Sequence, residues 1–515
     1  MTDEPLRDDL AELLRRRALT EDAARPDAVA RRHAAGGRTA RENIADLIDA
    51  GSFVEYGRFA IAAQRGRRPV DELIERTPAD GLVAGTARIG GRACAVLSYD
   101  YTVLAGTQGT LGHRKKDRLF DVIERLKLPT VFFAEGGGGR PGDVDHPTVS
   151  SLETPAFKLW AALSGVVPRI AVVKGRCFAG NAVIAGAADL IVATEDTSIG
   201  MGGPAMIAGG GLGHVAAEDV GPISVQAPNG VVDIVVPDEA RAVAVTKALL
   251  SYFGGPGEPG RVQDQTALRT MIPERARRAY HVGPIIETIA DEDSVTFLRE
   301  KFAPEMVTAL ARIDGRPVGV IANNTRVMAG AITAAASDKA ARFLQLCDVF
   351  GLPVVSLIDC PGYMVGPAAE AEALVRRASR LLVAGAALTV PLIAVILRRG
   401  YGLGAQAMCG GGLHEPVLTV AWPGAHLGPM GLEGAVRLGM RKELEAISDD
   451  DAREEAVRAA TAAAEEHARA LNAASMGEID DVIDPAETRS VIASTLAAAA
   501  QQVRHGPPRR FVDTW

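Results

Sequence analysis

The chain repeats a series of short segments at a nearly constant spacing, and this repeat constrains the fold more than any other feature. Each matched pair lies 224 positions apart, as residues 87 and 311 do. The pairs are ARIGGR (87–92) with ARIDGR (311–316), VLAG (103–106) with VMAG (327–330), and the stretches that begin at Leu128 and Leu352. Two copies of one unit predict two tandem domains, because a solenoid needs three or more short repeats.

Length and composition favour a globular protein without nucleic-acid partners. The 515 residues are 47% hydrophobic and 23% charged, which is enough for a large buried core. A net charge of −8 disfavours nucleic acid. The five cysteines form no CxxC pair and no zinc-site spacing with histidine, and the acidic N-terminus is unlike a signal peptide. We therefore expect a reducing, cytoplasmic setting and no metal.

One apolar run could be mistaken for a membrane span. Residues 381–397 read LLVAGAALTVPLIAVIL, but Pro391 interrupts them. The corresponding run in the first copy carries Lys158 and Arg169. A span needs about 20 apolar residues, so the sequence predicts a helix, a turn and a buried strand, and no membrane partner.

The two copies cover about residues 40–235 and 278–440, and a Gly/Pro-rich stretch at 253–265 separates them. The predicted domains are therefore residues 1–255 and 256–515, the second followed by C-terminal helices. Within each copy, short Val/Ile/Leu-rich runs alternate with helical patterns. This alternation predicts an α/β fold whose strands are parallel and covered on both faces.

Four turns rich in small residues follow these predicted strands. They cover residues 134–140, 174–183, 359–366 and 398–407. Ligands of α/β sheets bind at the carboxyl ends of the strands, and a helix that starts there leaves main-chain N–H groups free. Two such groups aimed at one point form an oxyanion site. The matched positions in both copies favour function over simple turn formation.

These residues carry a resemblance to a known family. The stretch 174–204, KGRCFAGNAVIAGAADLIVATEDTSIGMGGP, resembles the crotonase-superfamily signature. Two tandem units, with TPADGLVAGTARIGGR from Thr77 and ASDKAARFLQLCDVFGLPVVSLIDCPGYMVG from Ala336, resemble the β-type carboxyltransferase subunit of biotin-dependent acyl-CoA carboxylases, of the propionyl-CoA carboxylase β-chain type. The resemblance implies two crotonase-like domains, each a ββα-superhelix, related by internal duplication.

The resemblance also implies a reaction. Carboxybiotin on a carrier protein supplies the carboxyl group, and the α-carbon of an acyl-CoA receives it through an enolate. The biotin ureido oxygen and the thioester oxygen both become negative, so each copy supplies one oxyanion site. The family forms hexamers, trimers of dimers, whose acyl pocket lies between subunits. The chain has no MKM biotinylation sequence and no ATP-binding loop, so biotin carboxylase and biotin carrier subunits are expected as partners.

The site residues follow from the resemblance. The implied catalytic main-chain positions are Gly137, Gly138, Ala179 and Gly180 for the thioester, and Gly362, Leu403 and Gly404 for biotin. The implied substrate-binding residues are Phe178, Asn181 and Gln406 around the acyl group, and Lys115, Lys116 and Arg140 for the phosphates of coenzyme A. Ala179-Gly180 and Leu403-Gly404 replace the family's Gly-Gly and Gly-Ala pairs. The N–H groups survive these changes, but the pocket differs in size and polarity.

Three alternatives remain open at this point. A related decarboxylase subunit would run the transfer in reverse, from an acyl-CoA to biotin. A crotonase-type hydratase or isomerase would need a carboxylate in the small-residue turn, where Asn181 and Gln406 are amides. A non-catalytic partner subunit would keep the fold and bind no acyl-CoA.

Overall fold

The computed structural model describes residues 6–145, 153–275, 278–499 and 511–515. The chain divides into two compact units, the first ending at Ser251 and the second running from Tyr252 to Asp513.

The first unit is built on one mixed sheet. Its strands are β1 Val54–Glu55, β2 Leu82–Ile89, β3 Arg92–Tyr99, β4 Thr130–Phe133, β5 Arg169–Val173, β6 Arg176–Phe178, β7 Leu190–Thr194, β8 Ser198–Gly200 and β9 Ile234–Val236. Its helices are α1 Asp8–Ala18, α2 Pro26–Ala34, α3 Ala40–Leu47, α4 Val70–Arg76, α5 Thr110–Leu126, α6 Ala156–Ala162, α7 Gly180–Gly186, α8 Pro204–Gly209, α9 Ile223–Gln226 and α10 Glu239–Tyr252.

The seven-stranded sheet of this unit has the order β1-β2-β3-β4-β5-β7-β9, and β6 pairs with β8 beside it. The strands from β3 to β9 in this order are parallel, as predicted. Its core contains the rings of Phe120, Phe132 and Trp160. The centroid of the Trp160 ring lies 5.4 Å from that of Phe120 and 5.7 Å from that of Phe132. Burying three aromatic side chains between α5, β4 and α6 fixes how these elements pack.

The second unit repeats this plan. Its strands are β10 Thr296–Leu298, β11 Met306–Ile313, β12 Arg316–Asn323, β13 Val354–Cys360, β14 Leu392–Tyr401, β15 Leu418–Ala421, β16 His426–Gly428 and β17 Asp481–Val482. Its helices are α11 Leu268–Met271, α12 Gly283–Ile289, α13 Ala334–Phe350, α14 Pro367–Ala371, α15 Leu374–Ala386, α16 Gly402–Met408, α17 Leu432–Gly439, α18 Arg441–Glu445, α19 Asp450–His467, α20 Ala470–Ser475 and α21 Thr488–Ala499.

The sheet of the second unit has the order β10-β11-β12-β13-β14-β15-β17, with β16 paired to β14. The helices α5 and α13 both have 17 residues and start 224 positions apart, at Thr110 and Ala334. Helix α13 begins after Thr333, whose hydroxyl accepts a hydrogen bond from the N–H of Ala336 (3.0 Å), and ends at Gly351, where φ is 72°. The two sheets therefore present corresponding turns at the carboxyl ends of corresponding strands.

The repeated hexapeptide is a β-hairpin turn, which corrects the expectation of parallel strands at this point. β2 and β3 are antiparallel, and so are β11 and β12. The turn residues Gly90 and Gly91 have φ of 55° and 77°, and Asp314 and Gly315 have φ of 54° and 72°. Two successive positive φ values define the turn that best matches the twist of a hairpin. The backbone demand of this turn explains why both copies keep the same residues.

The apolar run at residues 381–397 forms the end of α15, a short turn and the start of β14, as predicted. No helix in the described part of the chain is long and apolar enough to cross a bilayer.

Candidate active site

The turn after β4 in the first unit carries the first predicted donors. Gly136 has φ of 153° and Gly138 has φ of 89°, both in the region that favours glycine. The N–H of Gly138 donates to Oδ1 of Asn181 at 3.0 Å. The N–H of Gly137, which is exposed, has no acceptor among the described residues. Of this predicted pair, only Gly137 keeps a free donor.

The turn that leads into α7 carries the second pair. Ala179 has φ of 51° and ψ of −122°, and its N–H donates to the carbonyl oxygen of Gly200 at 3.1 Å. Gly180 is the first residue of α7, and no described group accepts its N–H. Ala179 therefore acts as the bend that orients this turn, and its predicted role as a donor is corrected. The remaining donor here is the N–H of Gly180.

These two turns pack directly against each other. A Cβ at position 138 would lie 2.8 Å from the Cβ of Ala179 and 3.8 Å from the nitrogen of Gly180. A Cβ at position 180 would in turn lie 2.8 Å from Nε2 of Gln108 and 3.0 Å from the ring of Phe157. Side chains other than hydrogen are excluded at both positions, so the two main-chain segments stay in close approach.

The second unit brings its three predicted positions together in the same way. Gly362 has φ of 129°, and a Cβ there would meet nothing within 4 Å. Gly404 packs on it, because a Cβ at position 404 would lie 2.7 Å from the sulfur of Cys360 and 2.8 Å from Cα of Gly362. Leu403 is 63% exposed. The N–H groups of Leu403 and Gly404, in the first turn of α16, have no acceptor among the residues that the structure describes.

A matching main-chain clamp holds the glycine turn in each unit. In the first unit, the N–H of Gln108 donates to Gly138 (2.7 Å) and the carbonyl of Gln108 accepts from Arg140 (3.1 Å). In the second, the N–H of Ile332 donates to Gly362 (3.0 Å) and its carbonyl accepts from Met364 (2.9 Å). Each residue lies 224 positions from its counterpart. Both turns are therefore fixed by the same backbone pairing.

The three residues predicted around the acyl group are placed differently from one another. Gln406 is exposed and lines a cavity of about 340 Å³ together with His467, Asn472 and Met476. Phe178 is buried, and its ring lies 3.0 Å from where a Cβ of Gly203 would be. Gln406 alone is thus open to a ligand in this conformation.

Asn181 is fully buried, which corrects its predicted contact with substrate. Its Oδ1 accepts from the N–H of Gly138 and from Nε2 of Gln108, and its Nδ2 donates to the carbonyl oxygens of Gly106 (3.3 Å) and Glu135 (3.2 Å). The side-chain amide is therefore saturated by the protein.

The predicted phosphate ligands Lys115 and Lys116 are also corrected. Lys115 donates to the carbonyl oxygens of Ala79 (3.0 Å) and Leu82. Lys116 donates to the hydroxyl of Tyr99 (2.8 Å) and to Oε1 of Gln108. Burial lowers the pKa of Lys115 to about 8 and that of Lys116 to about 7. Neither ammonium group reaches the surface. Both lie on the apolar face of α5, and only Arg114 beside them is exposed.

Arg140, the third predicted phosphate ligand, is likewise engaged within the first unit. Its guanidinium forms a buried ion pair with Asp80 and donates to the carbonyl of Thr107 at 2.8 Å. In the second unit, Lys339 repeats the arrangement of Lys115, with Nζ 2.8 Å from the carbonyl oxygens of Arg299 and Phe302. The same contacts in both copies indicate a structural role for Lys115.

Sequence reasoning missed two residues that support the first turn. Glu135 is buried and forms a bidentate ion pair with Arg32, at 2.6 and 2.9 Å. Burial raises the pKa of Glu135 to about 7, against the opposing effect of Arg32. Gln108 is the second such residue. The signal for it was a polar residue at a position where the other copy has Ile332.

Across the described ranges, no group of three or more His, Cys, Asp or Glu side chains is arranged to hold a metal ion. The geometry that remains is two sets of free main-chain N–H groups at the carboxyl ends of two sheets. Such groups stabilise negative oxygen atoms.

A sequence profile of the carboxyl transferase domain matches residues 31–512. The chain belongs to the carboxyl transferase family. It is 34% identical over 524 residues to the methylmalonyl-CoA carboxyltransferase 12S subunit of Propionibacterium freudenreichii subsp. shermanii, and the match covers 97% of this chain and 95% of that protein.

Two solved structures of this family are similar to the chain. The hexameric transcarboxylase 12S, solved with methylmalonyl-CoA and methylmalonic acid bound, matches with a TM-score of 0.86 at 32% identity over 99% of both chains. A single-chain, multi-domain long-chain acyl-CoA carboxylase matches with a TM-score of 0.91 at 54% identity, covering 96% of this chain and 49% of that enzyme. The chain thus spans about half the length of that carboxylase. The family and the crotonase-like fold predicted from the sequence are confirmed.

Proposed function

We propose that this chain is the carboxyltransferase subunit of a biotin-dependent acyl-CoA carboxylase. It transfers a carboxyl group to the α-carbon of an acyl-CoA. The observation that carries the proposal is the pair of main-chain donor sets, Gly137 with Gly180 and Leu403 with Gly404, whose N–H groups have no acceptor in the described chain. Membership of the family supports the same reaction.

In the first unit, the N–H groups of Gly137 and Gly180 receive the thioester oxygen of the acyl-CoA. Removal of an α-proton makes this oxygen negative, and a donor that is already aligned stabilises it without reorganisation. The close packing at Gly138 and Gly180 fixes the two main-chain segments that carry these donors. Loss of one such donor costs about 10²–10³-fold in rate.

In the second unit, the N–H groups of Leu403 and Gly404 fit the ureido oxygen of biotin. Bound there on a carrier protein, carboxybiotin supplies the carboxyl group. The open space above Gly362 leaves room for a planar ring, because a Cβ there would contact nothing within 4 Å. The contribution of the chain on this side is to hold the ring and to offer hydrogen bonds where negative charge develops.

The partner proteins follow from the proposed use of biotin on a carrier protein. We infer a biotin carboxylase and a biotin carrier, either on separate chains or on a longer chain like the relative that this protein half covers. A homo-hexamer, as in the 12S structure, is the expected assembly. The five cysteines are free and buried, which favours a reducing cytoplasmic location.

The type of acyl group that the substrate carries is inferred from one relative and one cavity. The identity to a long-chain acyl-CoA carboxylase favours an extended acyl chain. The cavity lined by Gln406 and Met476, of about 340 Å³, is of the size that takes small ligands. Met476 is 78% exposed, and flexible methionine side chains adapt to apolar ligands. We therefore propose that Gln406 influences which acyl chain is accepted.

The test is a carboxylation assay with a panel of thioesters. The purified chain is mixed with a carboxylated biotin carrier and with acetyl-, propionyl-, octanoyl- or palmitoyl-CoA, and the carboxylated product is measured by mass spectrometry. Carboxylation of at least one thioester is expected. A second reaction mixes the chain with malonyl-CoA and an uncarboxylated biotin carrier. Carboxylation of that carrier, with no transfer to any thioester of the panel, would favour the reverse reaction. Binding of acyl-CoA without either reaction would indicate that the chain is a non-catalytic subunit.

A further inference from the structure

A chain of buried polar side chains runs beneath the donor turns of the first unit. The hydroxyl of Tyr99 accepts from Nζ of Lys116 at 2.8 Å, and Oε1 of Gln108 accepts from the same ammonium at 2.6 Å. Nε2 of Gln108 donates to Oδ1 of Asn181 at 3.1 Å. Lys116 and Asn181 are completely buried, and Gln108 is nearly so.

Lys116 and the main chain together fix the orientation of both amides. An ammonium group can only donate, so Gln108 must turn its oxygen toward it. The nitrogen of Gln108 then faces Asn181, which must present its own oxygen. The nitrogen of Asn181 is left to donate to the carbonyl oxygens of Gly106 and Glu135, as it does at 3.3 and 3.2 Å. Lys116 thus fixes Gln108 from one side, and the main-chain groups around Asn181 fix the same network from the other side.

This series of hydrogen bonds ends next to the residues that carry the free main-chain N–H groups. Oδ1 of Asn181 also accepts from the N–H of Gly138, next to Gly137. Asn181 itself follows Gly180 in α7, and Nε2 of Gln108 would lie 2.8 Å from a Cβ at position 180. These hydrogen bonds therefore hold the two main-chain segments that carry the free N–H groups of Gly137 and Gly180.

The second unit builds the same turn without these polar groups. Residues 224 positions after Gln108 and Lys116 are Ile332 and Ala340, both completely buried. The place of Asn181 beside the glycine turn is taken by Gly404, which contacts Gly362 directly. The backbone clamp is nevertheless the same in both units. The fold of the turn does not require a buried lysine and two amides, so their presence in the first unit needs another reason.

We propose that Lys116, Gln108 and Asn181 are positioning residues that hold the N–H groups of Gly137 and Gly180 in line with the thioester oxygen. The inference rests on the proposed function of those donors. A shift of about 1 Å in a reacting group can cost about 10²-fold in rate, and amides with a fixed direction in a low-dielectric interior resist such a shift.

The charge on Lys116 gives the proposal a pH dependence. Burial lowers its pKa to about 7, opposed by Asp117 and Asp80. The other groups around it are Tyr99, Gln108 and the neighbouring His113, whose pKa burial lowers to about 3, so that His113 is neutral throughout. Once Lys116 is deprotonated, its hydrogen bonds to Gln108 and Tyr99 are no longer charge-assisted, so Gln108 is held less firmly. We expect kcat to fall as the pH rises through about 7.

The test uses three variants that preserve size. Lys116→Met removes the cation, Gln108→Glu removes the donor to Asn181, and Asn181→Asp removes the donor to the two carbonyl oxygens. Each is expected to lower kcat for carboxyl transfer about 10²-fold, with a much smaller change in KM for the acyl-CoA. The kcat of Lys116→Met is also expected to lose the decline above pH 7.

Two controls separate positioning from stability. Thr130→Val removes a buried hydroxyl, which donates to Leu128 at 3.0 Å, from the far end of β4. It is expected to lower Tm and leave kcat unchanged. The double variant Gln108→Ile with Lys116→Ala copies the second unit, and it is expected to fold and yet to lose kcat.

Failure of the proposed function and failure of this inference give different experimental results. A wild-type chain that carboxylates no thioester refutes the proposed function, and this inference with it. An active wild-type chain whose folded variants keep kcat within about threefold refutes this inference alone. A loss of kcat that merely follows the loss of Tm, with the pH profile of Lys116→Met unchanged, refutes it as well.

Discussion

Replacing Leu403 with proline removes one proposed donor while leaving the fold intact. Leu403 is the second residue of α16, its N–H has no acceptor in the described chain, and its side chain is 63% exposed. Proline is tolerated in the first turn of a helix because the missing N–H is not used there. The preceding residue is Gly402, whose φ of 58° lies outside the right-handed α region that proline disfavours in its neighbour.

The expected effect is the loss of one preorganised hydrogen bond to a developing negative charge. Comparable losses lower kcat about 10²–10³-fold, or about 2.7–4 kcal/mol in transition-state free energy. The adjacent N–H of Gly404 remains, so activity is reduced and not abolished. The assay is carboxyl transfer from a carboxylated biotin carrier to the best acyl-CoA of the panel. KM for the acyl-CoA should change little, because Leu403 serves the biotin side.

The matched control is Leu403→Ala, which removes the side chain and keeps the N–H. It is expected to lose less than about tenfold, since only packing and solvent exclusion are affected. Thermal unfolding of both variants establishes that they are folded. If folded Leu403→Pro turns over within about threefold of Leu403→Ala, the N–H has no role in the reaction and the reasoning from free main-chain donors is wrong.

Three further predictions follow from contacts in the second unit. Gly404→Ala places a Cβ within 2.8 Å of Cα of Gly362 and should destabilise the unit by about 1–3 kcal/mol in thermal unfolding. Gly424→Ala, in open space, should not, and equal Tm values would contradict the packing argument. Burial lowers the pKa of Lys339 from its usual 10.5 to about 7. The unfolded state therefore binds more protons between these values, and the unfolding free energy should rise with pH there. Lys339→Met should flatten that rise in denaturant titrations, and an unchanged slope would contradict it. Gln406→Ala should raise kcat/KM for palmitoyl- relative to propionyl-CoA, because a polar group leaves the cavity wall; an unchanged ratio would remove Gln406 from acyl selection.

The sequence predicted which segments of the two copies correspond, but not that the repeated hexapeptides are hairpin turns between antiparallel strands. The hairpin turns repeat because positive φ values require glycine or aspartate at residues 90–91 and 314–315. The glycine turns repeat because strand, turn and helix succeed one another in both copies. Pro391, together with Lys158 and Arg169 in the matching run, also predicted the division between α15 and β14 in the apolar run at 381–397.

The sequence could not predict which main-chain N–H groups stay free. Ala179 and Gly138 lose theirs to the carbonyl of Gly200 and the side chain of Asn181, and both partners are distant in sequence. A free donor is a property of the tertiary structure, since hydrogen bonds outside helices depend on which segments meet.

The burial of two lysines was predictable in principle. Lys115 and Lys116 lie four residues before Leu119 and Phe120, so the helical period places them on the apolar face of α5. The assignment of Lys115 and Lys116 to the phosphates of coenzyme A disregards that period. The glutamine at position 108 could also have been noticed, because its counterpart in the second copy is isoleucine.

Because the proposed chemistry belongs to amide nitrogens, the outward-facing side chain at position 403 is free to drift. A random library at that one codon would vary the surface beside the proposed biotin site while retaining the main-chain N–H in every member except proline. Substitutions at this position are therefore expected to change how the biotin side is covered without abolishing turnover.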